Sequence, residues 1–198
     1  MDNTKKQDIR IVKTRRDLRA ALMHLMEKNN FDKINVNEIC REALVNRMTF
    51  YKHYDDKYDL LNDVLLEIKE NIVRRMETAH PQVTIESDAL QFTLNLLEAL
   101  IDECWERRAF IGALNNNELV ITMVSTTIEK SINQLLTELN AQRPLRYSIE
   151  AQAAALTGAA SFLVRYWLKH QPTQTKQLLL SDTKAFFQDL YQSKMMFA

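Results

Sequence analysis

Glycine is almost missing from this chain. Only Gly112 and Gly158 occur in 198 residues, where average usage of about 7% would supply roughly fourteen. A phosphate-cradling loop needs backbone amides brought close to its ligand at positive φ, which only glycine allows cheaply. Neither a P-loop nor a dinucleotide fingerprint can be written with two. Proline is nearly as scarce, with three, and the joint shortage argues against a turn-rich β protein. A mostly helical class remains. Cysteine is limited to Cys40 and Cys104, a lone and widely spaced pair. The opening residues, Met1-Asp2-Asn3-Thr4-Lys5-Lys6, have no apolar stretch behind their charges, so no secretory signal is expected. A cytoplasmic address with reduced thiols follows. The longest charge-free apolar stretch is the 14 residues between Glu150 and Arg165, short of the ~20 that a membrane span needs. No membrane partner is expected.

Charge is balanced but unevenly placed. There are 26 Lys and Arg against 26 Asp and Glu. Residues 1–53 hold 12 of the cations and 7 of the acids, a net of +5, so the remainder carries −5. A basic head on an acidic body is what a nucleic-acid-binding module joined to another module shows. A chance imbalance on solvated helix faces would look the same on charge alone.

Apolar periodicity marks the first helix. Leu18, Ala21, Leu22, Leu25 and Met26 form one stripe, with Arg16, Arg19, Glu27 and Lys28 opposite. The spacing predicts a helix from about Lys13 to Lys28, broken at Asn29-Asn30. After Phe31-Asp32-Lys33-Ile34, Asn35 and Glu38 have the spacing of a capping box. The short helix behind it turns Val36, Ile39, Cys40 and Ala43 inward. Leu44-Val45 makes a turn, and Asn46 caps a third helix over about Arg47 to His53. Asp56 caps a fourth, from Lys57 toward Ala79. Helices of two turns are not stable alone, so the second and third must be held by the first and fourth.

Longer helices are expected afterwards: 85–108 with Leu90, Leu94, Leu97 and Ile101 on a stripe, a short piece at 109–114, then 118–139, 147–170 and 173–193. Asn115-Asn116-Asn117 breaks the series, Pro81, Pro144 and Pro172 fall at boundaries, and Thr173 is the expected cap of the last helix. No repeat or low-complexity segment is present.

The segment from Asn35 to Lys57 therefore has helix-turn-helix logic. Its second helix is loaded with Arg47, Thr49, Tyr51, Lys52 and His53. Such a helix enters the major groove and touches base edges near its N-terminus, while its amides face phosphate. Tyr51, Lys52 and His53 suit phosphate or sugar.

The stretch from about Thr14 to Leu61 resembles the N-terminal domain of the TetR family of bacterial transcription regulators. Phe31, Ile34, Ile39 and Ala43 carry the likeness, with Thr49-Phe50-Tyr51-Lys52-His53-Tyr54 resembling the recognition helix and Lys57 with Leu60-Leu61 the start of the fourth. One departure is Leu44, where the family usually has Gly. The resemblance implies an all-α protein. A three-helix helix-turn-helix domain would occupy residues 1–56, a connecting helix 57–80, and a helical dimerisation and ligand-sensing bundle 81–198. It implies base contacts from Arg47, Met48 and Thr49, and backbone or base-edge contacts from Tyr51, Lys52 and His53. Phosphate contacts would come from Asn35, Asn37 and Lys57, and Asn46 at the helix start joins the DNA-binding set. Phe50 and Tyr54 would face the core. Thr14 with Arg10, Lys13, Arg15 and Arg16 would reach a neighbouring phosphate or the minor groove.

The C-terminal part resembles the sensing half of the family more loosely, through Gly158-Ala159-Ala160-Ser161 and Tyr166-Trp167-Leu168, a pattern similar to a low-GC Gram-positive branch. It implies a homodimer joined through the helices at 147–170 and 173–193. Its DNA would be a pseudo-palindromic operator with half-sites about one turn apart. A small-molecule inducer would relieve repression, and an activator working with a protein partner is the alternative. Phe92, Leu96, Cys104, Trp105, Phe110, Met123, Phe162 and Tyr166 are candidate pocket walls, although such residues at helical spacing also make plain core. No metal or cofactor is implied. Catalysis is disfavoured: His24, His53, His80 and His170 are scattered, and no H-E-x-x-H, C-x-x-C or G-x-S-x-G spacing exists. Acidic Asp102, Glu103 and Glu106 should raise the pKa of Cys104.

Overall fold

A computed structural model describes residues 2–114, 117–170 and 175–193. Among them the fold is all-helical, with α1 Asp2–Lys28, α2 Val36–Glu42, α3 Arg47–Tyr51, α4 Lys57–Ala79, α5 Ala89–Glu106, α6 Arg108–Ala113, α7 Glu118–Gln142, α8 Ile149–His170 and α9 Lys176–Gln192. None of these helices is long and apolar enough to cross a membrane. The helices group into two units, residues 1–67 with 109–121, and residues 68–108 with 122–198.

The first unit is built on the expected stripe. Leu18, Ala21, Leu22 and Met26 of α1 are buried, together with Phe31, Ile34, Ile39, Cys40, Phe50, Tyr54, Leu60, Leu61 and Val64. The α1 helix starts at Asp2, well before the expected Lys13. Apolar spacing detects only the part of a helix that packs. The preceding turns contain no glycine or proline, and Lys5, Lys6, Gln7 and Arg10 are good helix formers.

Two polar clamps hold the short helices. Lys57, at the first residue of α4, aims its ammonium at the 3-10 turn Phe31–Lys33. Nζ donates to the carbonyls of Phe31 at 2.8 Å, Asp32 at 3.2 Å and Ile34 at 2.9 Å. The same ammonium lies 4.6 Å from the Phe31 ring centre. A turn that exposes several carbonyls thus gains a three-pronged cap.

The second clamp centres on Asp63 of α4. Its carboxylate accepts hydrogen bonds from Arg15 at 2.5 Å, Arg19 at 2.9 Å and the Tyr54 hydroxyl at 2.5 Å. Arg19 also reaches Glu67. Arg19 is thus not part of a solvated face, as its place opposite the stripe suggested; its side chain is 15% exposed and paired. Burial alone would raise the Asp63 pKa, but the hydrogen bonds from Tyr54, Arg19 and Arg15 outweigh it and hold the group below the usual carboxylate range. Burial first, then the bond to Asp63, pushes the Tyr54 phenol up to about 12.

The second unit is a bundle of longer helices. Ile85, Leu136, Leu139 and Ala153 form a core against which Phe92, Ile132, Leu135, Ile149, Leu156 and Tyr191 pack. Helices α5 and α9 run antiparallel, as two ion pairs show: Glu98 with Lys184, and Asp102 with Lys176. Several starts differ from expectation because a nearer polar side chain is the cap. Asp88 caps α5 through the Gln91 amide, so that helix begins at Ala89 and not at 85. Ser148 accepts from the Ala151 amide at the start of α8. Thr175 caps α9 through the Leu178 amide; the expected cap, Thr173, lies outside the described residues, as do Asn115 and Asn116.

Two variants test the clamps. Lys57→Ala removes three charge-assisted bonds to carbonyls and should lower unfolding free energy by about 1–2 kcal/mol in urea titration, with helix content unchanged at zero urea. Asp63→Asn should cost about 2 kcal/mol near neutral pH. The folded pKa is depressed, so the contribution is present above the unfolded value of about 3.9 and is lost as pH falls through the folded one. The stability gap between parent and Asp63→Asn should therefore narrow below about pH 4.

Candidate nucleic-acid interface

Residues 35–57 form two short helices joined by a tight turn. Asn35 accepts from the Glu38 amide at 3.1 Å, and Glu38 accepts from the Asn35 amide at 2.9 Å, the expected reciprocal capping box. The far end of α2 closes as a Schellman motif. The Val45 amide donates to the Cys40 carbonyl at 2.9 Å, and the Leu44 amide to the Arg41 carbonyl at 3.3 Å. That motif needs a left-handed residue between them. Leu44 supplies it, with φ of 56°, at a cost of about 1–2 kcal/mol for a residue with a side chain.

Asn46 caps α3, accepting the Thr49 amide at 2.7 Å and the Thr49 hydroxyl at 2.9 Å. The helix is five residues long, shorter than the expected run to His53, because the chain tightens at Lys52, whose amide bonds to the Phe50 carbonyl. Its inward anchors are as expected. Phe50 is fully buried and Tyr54 nearly so, and their rings lie 5.8 Å apart. A helix repeat of 3.6 residues then turns Arg47, Met48, Tyr51 and Lys52 outward, and all four are exposed. Thr49 and His53 lie at the edge, half-buried. Arg47 sits over the Tyr51 ring, 5.7 Å from its centre, so the two make one cationic and aromatic tile.

The structure thus brings Arg47, Met48, Tyr51 and Lys52 to one outward surface and leaves Asn37 exposed on α2. Other expected contacts have local duties. The carboxamide oxygens of Asn35 and Asn46 cap their helices, so only the NH2 end of each suits a phosphate, which accepts hydrogen bonds. Lys57 gives its ammonium to three carbonyls, which matches its three donors, and in this state none is left over for phosphate. Arg15 is committed to Asp63 and Tyr54, and Arg16 to Asp17. Arg10 and Lys13 are exposed on α1.

Sequence reasoning missed the Asp63 cluster and one link to a distant segment. Asn117, just before α7, donates to the Asp32 carboxylate at 2.6 Å across 85 residues. Phe110, Leu114 and Val120 in the same part of the first unit are buried. No local pattern announces partners so far apart in sequence.

The second unit has a cleft of about 490 Å³ lined by Arg74, Arg75, Glu103, Glu106 and Arg107, with Asn71, Thr78 and Ala79. Arg75 reaches Glu106 at 2.6 Å and Glu103 at 3.3 Å, and Arg107 reaches Glu103 at 2.5 Å. None of the eight expected wall residues lines it. Phe110 belongs to the first unit, Phe92 packs on the core, and Phe162 and Tyr166 are exposed. Trp105 instead faces Trp167 at 5.1 Å. Burial, reinforced by Glu103, pushes the Cys104 thiol up to about 12, which keeps it protonated at neutral pH. Among the described residues no three His, Cys, Asp or Glu gather to hold a metal.

Known proteins share this design. Residues 18–64 match the family of bacterial regulatory proteins, tetR family. An uncharacterized HTH-type transcriptional regulator of Bacillus subtilis, YxbF, is 28% identical over 120 residues, which is 60% of this chain and 28% of that relative. The match therefore spans little more than a quarter of the relative's length. A protein of Syntrophomonas wolfei assigned to the TetR-family transcriptional regulators superposes with a TM-score of 0.74 at 11% identity, over 91% of this chain and 96% of that one. The dihydroxyacetone kinase operon activator DhaS superposes with a TM-score of 0.60 at 17% identity, over 93% and 98%. The capped α2, the tight turn and the α3 anchored by Phe50 and Tyr54 lie inside the matched residues, so residues 18–64 are a helix-turn-helix domain of the kind found in the TetR family of bacterial regulatory proteins.

Proposed function

We propose that this protein is a homodimeric transcription regulator that binds a pseudo-palindromic operator through α2 and α3, and that it represses until a small-molecule effector is bound. The observation that carries the reading is the outward surface of α3. Arg47, Met48, Tyr51 and Lys52 are exposed on a helix whose other side is locked into the core. Arg47, Met48 and Thr49 read base edges in the major groove. Tyr51, Lys52 and His53, with the amide ends of Asn35, Asn37 and Asn46, hold the backbone.

The dimer is supported by an apolar surface on α8 and α9. Phe162 is 64% exposed and Phe186 57%, with Tyr166 and Leu178 near half. Ala154, Ala155, Gly158 and Ala159 are exposed on α8 as well. Large exposed apolar area of this kind is costly unless another surface covers it. A twofold pair would set the two α3 helices about 34–36 Å apart, one turn of DNA.

The effector is assigned to the second unit. Buried polar atoms there, Asn95 Nδ2, Thr157 Oγ1 and Trp167 Nε1, find no hydrogen-bond partner among the described residues, which is uncommon in a finished core and supports a polar ligand. Its effect on DNA binding can be no larger than its differential affinity for the two arrangements. Activation together with a protein partner is the second reading, favoured by the likeness to DhaS, an operon activator. Reporter output after gene deletion separates them: a rise means repression and a fall means activation.

Selection of bound duplexes from random DNA should return a two-half-site sequence. Arg47→Ala should relax one base position by about 1–3 kcal/mol, and Lys52→Ala should weaken all sequences alike while lowering the salt slope by about one. Recovery of no preferred sequence by the parent would overturn the reading. Phe162→Glu should shift the protein toward monomer in sedimentation without altering its helix content, because the side chain packs little within its own chain.

A further inference from the structure

Leu44 stands in a left-handed conformation that glycine adopts without strain, and its side chain is 92% exposed. The free chain therefore bears the strain of a Cβ and recovers no burial from it. Met48, the second residue of the capped α3, is 72% exposed. The two lie either side of the Asn46 cap, and their neighbours Arg41, Arg47 and Lys52 are cationic and exposed. A patch of two apolar side chains is far below the ~800 Å² per partner that a protein interface takes. With exposed Glu42 counted against these three cations the surroundings still sum to +2, which fits a polyanion instead. In the major groove of DNA, base edges are polar except for the C5 methyl of thymine.

We infer that Leu44, together with Met48, is a specificity-determining residue that packs against a thymine methyl in each operator half-site. This rests on the reading of α3 as the recognition helix. Binding supplies the burial that the free chain lacks, and the residue with a side chain is thereby useful where glycine would be easier to fold.

The test uses the duplex that the full-length parent selects from random DNA, remade with uracil in place of thymine one position at a time. Uracil lacks only the methyl. At one position per half-site the parent should bind about fourfold more weakly, the worth of one buried methyl. Leu44→Gly should melt at or above the parent's temperature, since strain is relieved, yet its thymine-to-uracil ratio there should fall to near one. Leu44→Met should keep the discrimination. Equal binding of the parent to every uracil duplex overturns the inference, as does a Leu44→Gly protein that still discriminates fully. A Leu44→Gly protein that weakens on every duplex alike places Leu44 on the sugar-phosphate backbone and overturns it too. These failures all occur with tight, sequence-selective DNA binding by the parent. If the parent selects no sequence, the recognition-helix reading fails and the inference falls with it.

Discussion

A five-residue helix closes too few internal hydrogen bonds to hold its own shape, so the orientation of α3 depends on what lies beneath it. Phe50 supplies the apolar anchor. Tyr54 supplies the polar one, because its hydroxyl donates to Asp63, which also receives Arg15 and Arg19 from α1. The single carboxylate therefore joins α1, the segment just after α3, and α4. Its charge is compensated by two guanidinium groups and it also accepts a hydrogen bond from a phenol, so the cluster is a satisfied network and not an isolated buried ion. The outward direction of Arg47 and Lys52 follows from this inward fastening.

The Lys57 ammonium serves the neighbouring joint in the same way. It caps the carbonyls of the link between α1 and α2, and Asp32 in that link also meets Asn117. The start of α4, the link and the segment before α7 are thus connected through two polar side chains within one unit. A lysine on a basic head looks like a phosphate ligand when only charge is considered. Geometry gives it three carbonyls, which it can satisfy with three protons.

Leu44 shows the opposite balance. Its backbone does what the Schellman turn requires, but its side chain gains nothing from the fold. Natural chains violate a local rule mainly where function compensates for it, and Leu44 lies in the turn directly before α3. The exposed rings of Phe162 on α8 and Phe186 on α9 likewise gain little burial from their own chain.

Much of the first unit was legible in residues alone. The stripe of α1, both asparagine caps, the Leu44 turn and the start of α4 all follow from interactions within about four residues, while the inward Phe50 and Tyr54 were implied by the family resemblance. Caps and turns are local, so local sequence determines them. The roles of Lys57, Arg15, Arg19 and Asp63 were decided only by tertiary structure. Apart from Tyr54, nine residues before Asp63, their partners lie 23 to 48 residues away, and a charged side chain carries no mark of which distant group it will meet. The aromatic residues expected around one effector pocket were dispersed for the same reason, as Phe110 joined one unit while Phe162 stayed on the surface of the other. Helical spacing says that a side chain shares a face with its neighbours, and only the packing of whole helices decides what that face meets.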